Sequence, residues 1–292
     1  MSSFLQEYKR QPKLFIDLPS KGKWYNDSIV KDGNVEKLPV FGMNAMDEIV
    51  FQTPDALFTG EATAQVIQSC VPDILDPWEL VGYDIDFLLV AMRIATYGTG
   101  MPVSTKCPQC SVTTESEVDL SKTLDNFSTY TTEFSFEIKN FTFYIRPLTY
   151  RVTTQFSMAF YNLERQLYQL SQIEITDENQ KELNQKKQQL HKAMNEINIE
   201  IASNHIEKVE SNGLEETNID AIRSFIVDND ADFYQALRQN ITELTLKWNL
   251  PNISVACGGE ECENVYQSTL NVDYSSFFGT NSLRSRNLIL YP

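Results

Sequence analysis

Hydrophobic and polar positions follow a helical period in short runs through the first hundred residues. Residues 44–70 contain three such runs, with Asn44 as the candidate cap of the first and Pro54 at the start of the second. The next run ends at Gly98, and Asp84 near its start is a candidate cap. The pattern therefore predicts a compact region of short helices.

A period of two replaces the helical period after residue 110. Small or apolar residues at the even positions from 112 to 120, with polar residues between them, predict a half-buried strand. Residues 134–145, "FSFEIKNFTFYI", predict a hairpin with the two-residue loop Lys139-Asn140. The predicted register pairs Phe134 with Ile145, Phe136 with Phe143 and Ile138 with Phe141, all on one face.

Residues 150–209 return to a helical period. Apolar residues from Phe156 to Leu170 are spaced by three and four, and a similar series runs from Leu183 to Ile201, as in a coiled-coil seam. Thr176 lies between the two series as a candidate N-cap. The pattern predicts an antiparallel helical hairpin whose second helix, rich in Gln, Lys and Glu, is exposed. Further helices are predicted near 219–227 and 231–247.

Composition and charge restrict the classes of partner. The chain has 292 residues, 42% of them hydrophobic, which is enough for one large domain or two modest ones. Its 24 Lys and Arg against 40 Asp and Glu give a net charge of −16, which opposes binding to phosphate backbones, so nucleic acid is not the expected partner.

The apolar runs and the N-terminus predict no membrane span and no secretion signal. The longest runs, such as "FLLVAM" at 87–92, fall far short of the roughly 20 apolar residues of a membrane helix. The charged N-terminus contains Pro12 and lacks a continuous apolar core. We therefore expect a reducing cytoplasm, in which cysteines are thiols or metal ligands.

Two cysteine pairs form the strongest chemical motif. Cys107 and Cys110 lie in "CPQC", and Cys257 and Cys262 in "CGGEEC"; both spacings suit tetrahedral zinc, and four thiolates would close a structural site. Each pair precedes an alternating segment, which is the layout of a zinc ribbon with residues 111–256 inserted between its halves. A metal-free pair of turns is the alternative.

The sequence supports other candidate functional sites less strongly than the cysteine pairs. A thiol oxidoreductase would place the first cysteine of "CPQC" at a helix N-terminus, whereas the residues that follow favour a strand. His191 and His205 are interpreted as exposed helix residues without a catalytic motif beside them. Asp86 is interpreted as a surface residue. We therefore expect neither an enzyme nor a small-molecule substrate.

Six motifs follow one another in an unusual order and spacing over most of residues 15–121 and the last forty or so. They are "FIDLPSKGKWY", "MDEIVFQTPDALFTGEAT", "SCVPDI", "DIDFLLVAMRIATYG", "CPQC" and "LNVDYSSFF". As a set they resemble the baseplate hub and hub-assembly proteins of T-even-like contractile-tailed bacteriophages.

The resemblance implies a non-enzymatic role in the tail baseplate, either as a structural piece of the hub or as a hub assembly factor. It implies other hub proteins as partners, with the chain in the virion tail and, during assembly, in the host cytoplasm. Candidate interface anchors are Trp24, Tyr25, Phe277 and Phe278, with burial in the core as the alternative for each. A zinc-ribbon adaptor of a cellular nucleic-acid complex is the rival function.

These patterns predict an α+β fold. We expect an N-terminal extended and helical region at 1–106 and a zinc-ribbon-like β region at 107–149 with 251–292. The remaining residues, 150–250, are predicted to form an inserted helical region. The predicted hairpin at 134–145 is also part of the insertion between the two cysteine pairs.

Overall fold

The computed structural model describes residues 9–127, 131–176, 179–250, 252–259 and 262–269. The chain divides into two compact units: the first comprises Met1–Tyr130 with Asn249–Pro292, and the second comprises Thr131–Trp248. Helices and small antiparallel sheets occur together, which confirms the predicted α+β class. The second unit is thus an insertion into the sequence of the first.

The first unit contains the N-terminal helices and three two-stranded sheets. Its strands are β1 (Pro12–Ile16), β2 (Leu38–Phe41), β3 (Gly100–Lys106), β4 (Thr113–Asp119), β9 (Asn252–Ala256) and β10 (Val265–Thr269). Its helices are α1 (Ala45–Phe51), α2 (Pro54–Phe58), α3 (Glu61–Cys70), α4 (Gly82–Tyr97) and α5 (Leu120–Phe127). The strands pair as β1 with β2, β3 with β4, and β9 with β10.

The second unit contains a four-stranded antiparallel sheet and four helices. Its strands are β5 (Phe134–Ile138), β6 (Phe141–Ile145), β7 (Ile206–Ser211) and β8 (Leu214–Glu216), paired in that order. Its helices are α6 (Tyr150–Ser171), α7 (Gln180–His205), α8 (Ile219–Asp228) and α9 (Ala231–Thr245). None of the helices within the described residues is long and apolar enough to cross a membrane.

The local signals in residues 44–70 give the helices they predict. The Asn44 side chain accepts hydrogen bonds from the backbone N–H groups of Met46 and Asp47, and the Asp47 carboxylate accepts one from the Asn44 N–H, which completes a capping box. Pro54 is the first residue of α2. Gly60 takes a positive φ of 81° between α2 and α3, a conformation that favours glycine.

Helix α4 is the buried centre of the first unit. Leu89, Val90 and Ala91 are fully buried and lie on different sides of the helix, as expected for a helix surrounded by other elements. The prediction that Asp84 caps this helix is wrong, because Val81 occupies the N-cap position. Asp84 is instead wholly buried and accepts hydrogen bonds from the Ser20 N–H and the Tyr25 hydroxyl.

Asp86 is partly buried rather than a surface residue. Burial raises the pKa of its carboxyl group to about 7. Within the described residues, no hydrogen bond or ion pair to another side chain offsets that burial. The charged form of Asp86 therefore destabilises the folded chain.

Replacing Asp86 with asparagine is expected to stabilise the chain in a pH-dependent way. The folded-state pKa of about 7 lies above the ordinary value of 3.8, so wild-type stability falls as the pH rises between these two values. The gain in unfolding free energy should be near zero at pH 3 and reach at most about 4 kcal/mol above pH 7. Urea unfolding across this pH range measures it.

Asp55→Asn is the matched control, because Asp55 is exposed on α2. Its effect should stay small and should not grow between pH 4 and pH 7. A gain for Asp86→Asn that is equal at pH 3 and pH 8 would contradict the burial argument.

The hairpin of β5 and β6 confirms the predicted register. Phe134 pairs with Ile145, Phe136 with Phe143 and Ile138 with Phe141, and Lys139 in the turn has a φ of 57°. The sequence predicted that residues 107–149 form one β region with residues 251–292. In the structure β6 pairs with β7, so this hairpin belongs to the sheet of the second unit.

Helices α6 and α7 form the predicted antiparallel hairpin. The described part of helix α7 begins at Gln180. The Thr176 hydroxyl accepts a hydrogen bond from the Asn179 N–H at 3.4 Å, and the Asn179 side chain accepts one from the Thr176 N–H at 2.8 Å, which is the reciprocal pattern of a capping box and agrees with the predicted cap. His191 is exposed, as predicted, whereas burial lowers the pKa of His205 and its Nδ1 lies 3.0 Å from the Arg146 carbonyl oxygen.

Candidate metal centre

The first cysteine pair lies at the tip of the β3–β4 hairpin. The strands pair from Gly100 with Asp119 to Lys106 with Thr113, which leaves residues 107–112 as the connection. The Cys107 N–H donates to the Val112 carbonyl at 2.9 Å, and the Ser111 N–H donates to the Cys107 carbonyl at 2.9 Å. Ser111 has a φ of 61°, which closes this tight turn. Both thiols are thereby placed beyond the ends of the strands.

The second pair occupies the equivalent position in the β9–β10 hairpin. Val265 pairs with Ala256, so residues 257–264 connect the strands. The Cys257 N–H donates to the Asn264 carbonyl at 2.8 Å, as the Cys107 N–H does to Val112. The Cys262 N–H donates to the Gly259 carbonyl at 3.1 Å. Two hairpins from distant segments therefore present their cysteines in the same way.

Side-chain contacts hold the two hairpins together. The Gly258 N–H donates to the Thr114 hydroxyl at 2.9 Å, and the Thr105 and Tyr266 hydroxyls lie 2.7 Å apart. Thr114 and Tyr266 are both buried. Each of these hydrogen bonds joins β3 or β4 to the second hairpin. The four cysteines therefore meet where other contacts already hold the two hairpins together.

The four sulfur atoms form a compact cluster. All lie within 4.8 Å of one another, with Cys110 Sγ 3.4 Å from Cys257 Sγ and Cys107 Sγ 4.0 Å from Cys262 Sγ. These distances are too long for disulfides, which are about 2.05 Å. Four sulfurs at about 2.3 Å from a tetrahedral metal ion lie roughly 3.8 Å apart. The cluster is therefore of the right size to hold one metal ion.

Two of the sulfur atoms accept hydrogen bonds from N–H groups of the second hairpin. The Asn264 amide donates to Cys107 Sγ at 3.5 Å and, with the Cys110 N–H, lowers the pKa of Cys107 to about 6. The Gly259 N–H donates to Cys257 Sγ at 3.4 Å. Such donors to a ligand atom are the usual surroundings of a metal-bound thiolate.

The thiols of Cys110 and Cys262 retain their protons more strongly than an isolated thiol. The Val112 N–H lowers the pKa of Cys110, but hydrogen bonding with Cys257, burial and the other two thiols together outweigh it and raise the pKa to about 12. The pKa of Cys262 is also raised, although the Asn264 N–H lowers it, because burial and the neighbouring thiols oppose ionisation. Four ionised thiolates this close together repel one another. A divalent cation would offset that repulsion and allow all four groups to bind as thiolates.

The structure brings together the four cysteines that the sequence predicted as ligands. Cys107 lies in a hairpin turn rather than at a helix N-terminus, so it lacks the helix dipole that the oxidoreductase interpretation requires. Sequence reasoning missed Asn264 and Thr114, which support the cluster. The alternating residues of "MPVST" and "NISVA" before each pair are the signal that could have revealed β3 and β9.

The described members of the predicted interface set, Trp24 and Tyr25, are not part of the cysteine cluster. Tyr25 is half-buried, and its hydroxyl donates to Asp84 at 2.5 Å and accepts from the Val81 N–H at 3.0 Å. Trp24 is half-buried, with the Lys23 ammonium 5.3 Å from its ring centre. Phe277 and Phe278 lie outside the described residues. An interface role for these four residues stays a prediction.

The chain matches a known protein family. A family model described as "T4 bacteriophage base plate protein" matches residues 43–278, which is well over half of the chain and includes all four clustered cysteines. No curated protein and no solved structure matches the chain significantly.

Proposed function

Because the chain belongs to the family of T4 bacteriophage base plate proteins, we propose that it is a non-enzymatic structural component of the hub region of a contractile-tail baseplate. The resemblance to baseplate proteins predicted from the sequence is confirmed at the level of the family. A baseplate protein lies in the virion tail and works through contacts with other baseplate components. The family match is the observation that carries this proposal.

The cysteine cluster holds one structural zinc ion in this proposal. An all-sulfur set of four ligands favours zinc over magnesium or calcium, which prefer oxygen. Four protein ligands leave no open position for a water molecule or a substrate, so the ion would be structural rather than catalytic. The sulfur distances and the N–H donors from Asn264 and Gly259 support this assignment.

The zinc ion would cross-link two segments that are distant in sequence. It joins the turn at 107–112 to the turn at 257–264, and the whole second unit, Thr131–Trp248, lies between them in sequence. Cross-linking a long loop removes conformational entropy from the unfolded chain. The C-terminal hairpin would thereby stay fixed to the first unit while the second unit remains available for protein partners.

Phage in which a stop codon interrupts this gene test the hub proposal. We expect non-suppressing cells to accumulate incomplete baseplates in electron micrographs, and we expect mass spectrometry of purified wild-type tails to detect the chain. A phage that carries a silent substitution at the same codon is the control. Since an assembled particle needs its structural subunits, both results are required.

Two outcomes overturn the proposal. Incomplete baseplates together with tails that lack the chain would identify the chain as an assembly factor, the other role that the resemblance implies. Normal baseplates in the mutant would reject both roles. Salt-sensitive binding of the purified chain to DNA or RNA would instead favour the adaptor function, which the net charge of −16 opposes.

A further inference from the structure

We propose that two copies of the chain associate through helices α6 and α7, here called the arm, packed side by side in antiparallel orientation. Helix α6 has 22 residues and none is buried. In α7, with 26 residues, only Leu183, Ala202 and Ser203 are buried. Helices of this length normally bury an apolar stripe, so much of the arm surface is left without a covering element.

The seam between the two helices is covered only in part. Its apolar residues in α6, including Phe156, Phe160 and Leu163, are half-buried, and so are Leu190 and Met194 in α7. The two helices cover this seam for each other in part, so the side of α6 that faces away from the seam is the more exposed surface of the arm.

One face of α6 has the composition of a protein interface. Met158, Tyr161, Arg165 and Tyr168 lie on the same side of the helix, away from the seam, and Tyr, Arg and Met are the types enriched at interfaces. Tyr161 is 49% exposed and Tyr168 is 67% exposed. Since a tyrosine buries about 150–250 Å² when fully covered, the exposed parts of these two can add roughly 170–290 Å² to the ~800 Å² per partner of a standard interface.

The charge of the arm favours a second copy as the occupant. Helices α6 and α7 with the connection at 172–179 carry six Lys and Arg against seven Asp and Glu, a net charge of −1, so the rest of the chain carries −15 of the total of −16. Two copies that met through other surfaces would bring strongly acidic regions together. Contact through the arm avoids this repulsion.

Antiparallel packing also matches opposite charges. Glu174 lies just beyond the end of α6, whereas Arg146 and Arg151 lie at the opposite end of the arm. A two-fold axis near Tyr161, the midpoint of α6, places Glu174 of each copy beside the two arginines of the other copy. The roughly 33 Å length of α6 exceeds the Debye length of about 8 Å, so the two ends interact separately.

Sedimentation equilibrium of the full chain tests this dimer. We expect wild type to have twice the chain mass of 33.5 kDa at micromolar concentration. The double variant Tyr161→Glu/Tyr168→Glu should have the single-chain mass, with its dissociation constant raised at least 100-fold, because the charges at position 161 of the two copies would meet at the axis and the charge at position 168 would be buried in the interface.

Gln185→Glu/Gln189→Glu is the matched control, because it adds the same charge to exposed positions of α7 opposite the seam. The control should dimerise like wild type, and circular dichroism should give equal helix content for all three proteins. A wild-type chain that remains a monomer up to 100 µM would overturn the proposal, and so would a tyrosine variant that dimerises as tightly as wild type. An equal loss of dimer in the control would also overturn it. These results are independent of the hub and zinc assignments.

Discussion

Replacing Cys257 with serine is expected to abolish metal binding and to lower the free energy of unfolding of the first unit by about 5 kcal/mol, a loss typical of a structural metal site. Wild type should hold about one zinc ion per chain. The serine hydroxyl does not ionise near neutral pH and is a poor zinc ligand, so three thiolates would remain. Elemental analysis by mass spectrometry measures the metal, and urea unfolding measures the stability.

Cys70→Ser provides the matched control for this experiment. Cys70 is a fully buried thiol in α3, outside the cluster, and its Sγ lies 3.9 Å from Asp47 Oδ2, so a serine hydroxyl would retain an acceptor. This variant should keep its zinc and lose much less stability. If Cys257→Ser retained the wild-type metal content, or if wild type itself contained no metal and both proteins were equally stable, the four-cysteine zinc site would be refuted.

The hairpin at 134–145 shows which features a sequence can specify. Alternating aromatic residues fix the buried face of each strand, and a two-residue loop fixes which residues stand opposite each other. Both signals are local, so the register of Phe136 with Phe143 follows without knowledge of the rest of the fold. The pairing of β6 with β7 is different, because it joins segments separated by the whole arm.

Asp84 shows where a local rule fails. An acidic residue near the start of a helix is usually explained by capping or by the helix dipole. Here the partners are Ser20 and Tyr25, some sixty residues earlier in the chain, and the carboxylate is wholly buried. Burial raises the pKa of Asp84 to about 6, although its hydrogen bonds lower it. Only the tertiary structure reveals this environment.

The cysteine cluster could be predicted from the sequence only in part. The spacing within each pair identifies the ligand types, since "CPQC" and "CGGEEC" suit a metal-binding turn. The sequence does not reveal that each turn closes a complete hairpin or that Thr114 and Asn264 support the cluster. Those contacts depend on two segments that meet only after folding.

Replacing Phe143 with alanine is expected to lower the free energy of unfolding of the second unit by about 3–5 kcal/mol. Phe143 in β6 is fully buried, with its ring centre 5.3 Å from that of Phe136 and 6.0 Å from that of Phe233. Its loss would leave a cavity between the sheet and α9 that the surrounding rings cannot fill. Urea unfolding and hydrogen exchange in β6 and β7 would measure the effect.

Leu214→Ala is the control for Phe143→Ala, because Leu214 lies in the same sheet but is 77% exposed. Its effect should stay within about 0.5 kcal/mol, as for other surface substitutions. Both variants should retain the metal, since the cysteine cluster belongs to the first unit. Equal effects of the two substitutions would contradict a core centred on Phe143. Loss of the metal in Phe143→Ala would instead show that the metal site requires a folded second unit, contrary to the division of the chain into two units.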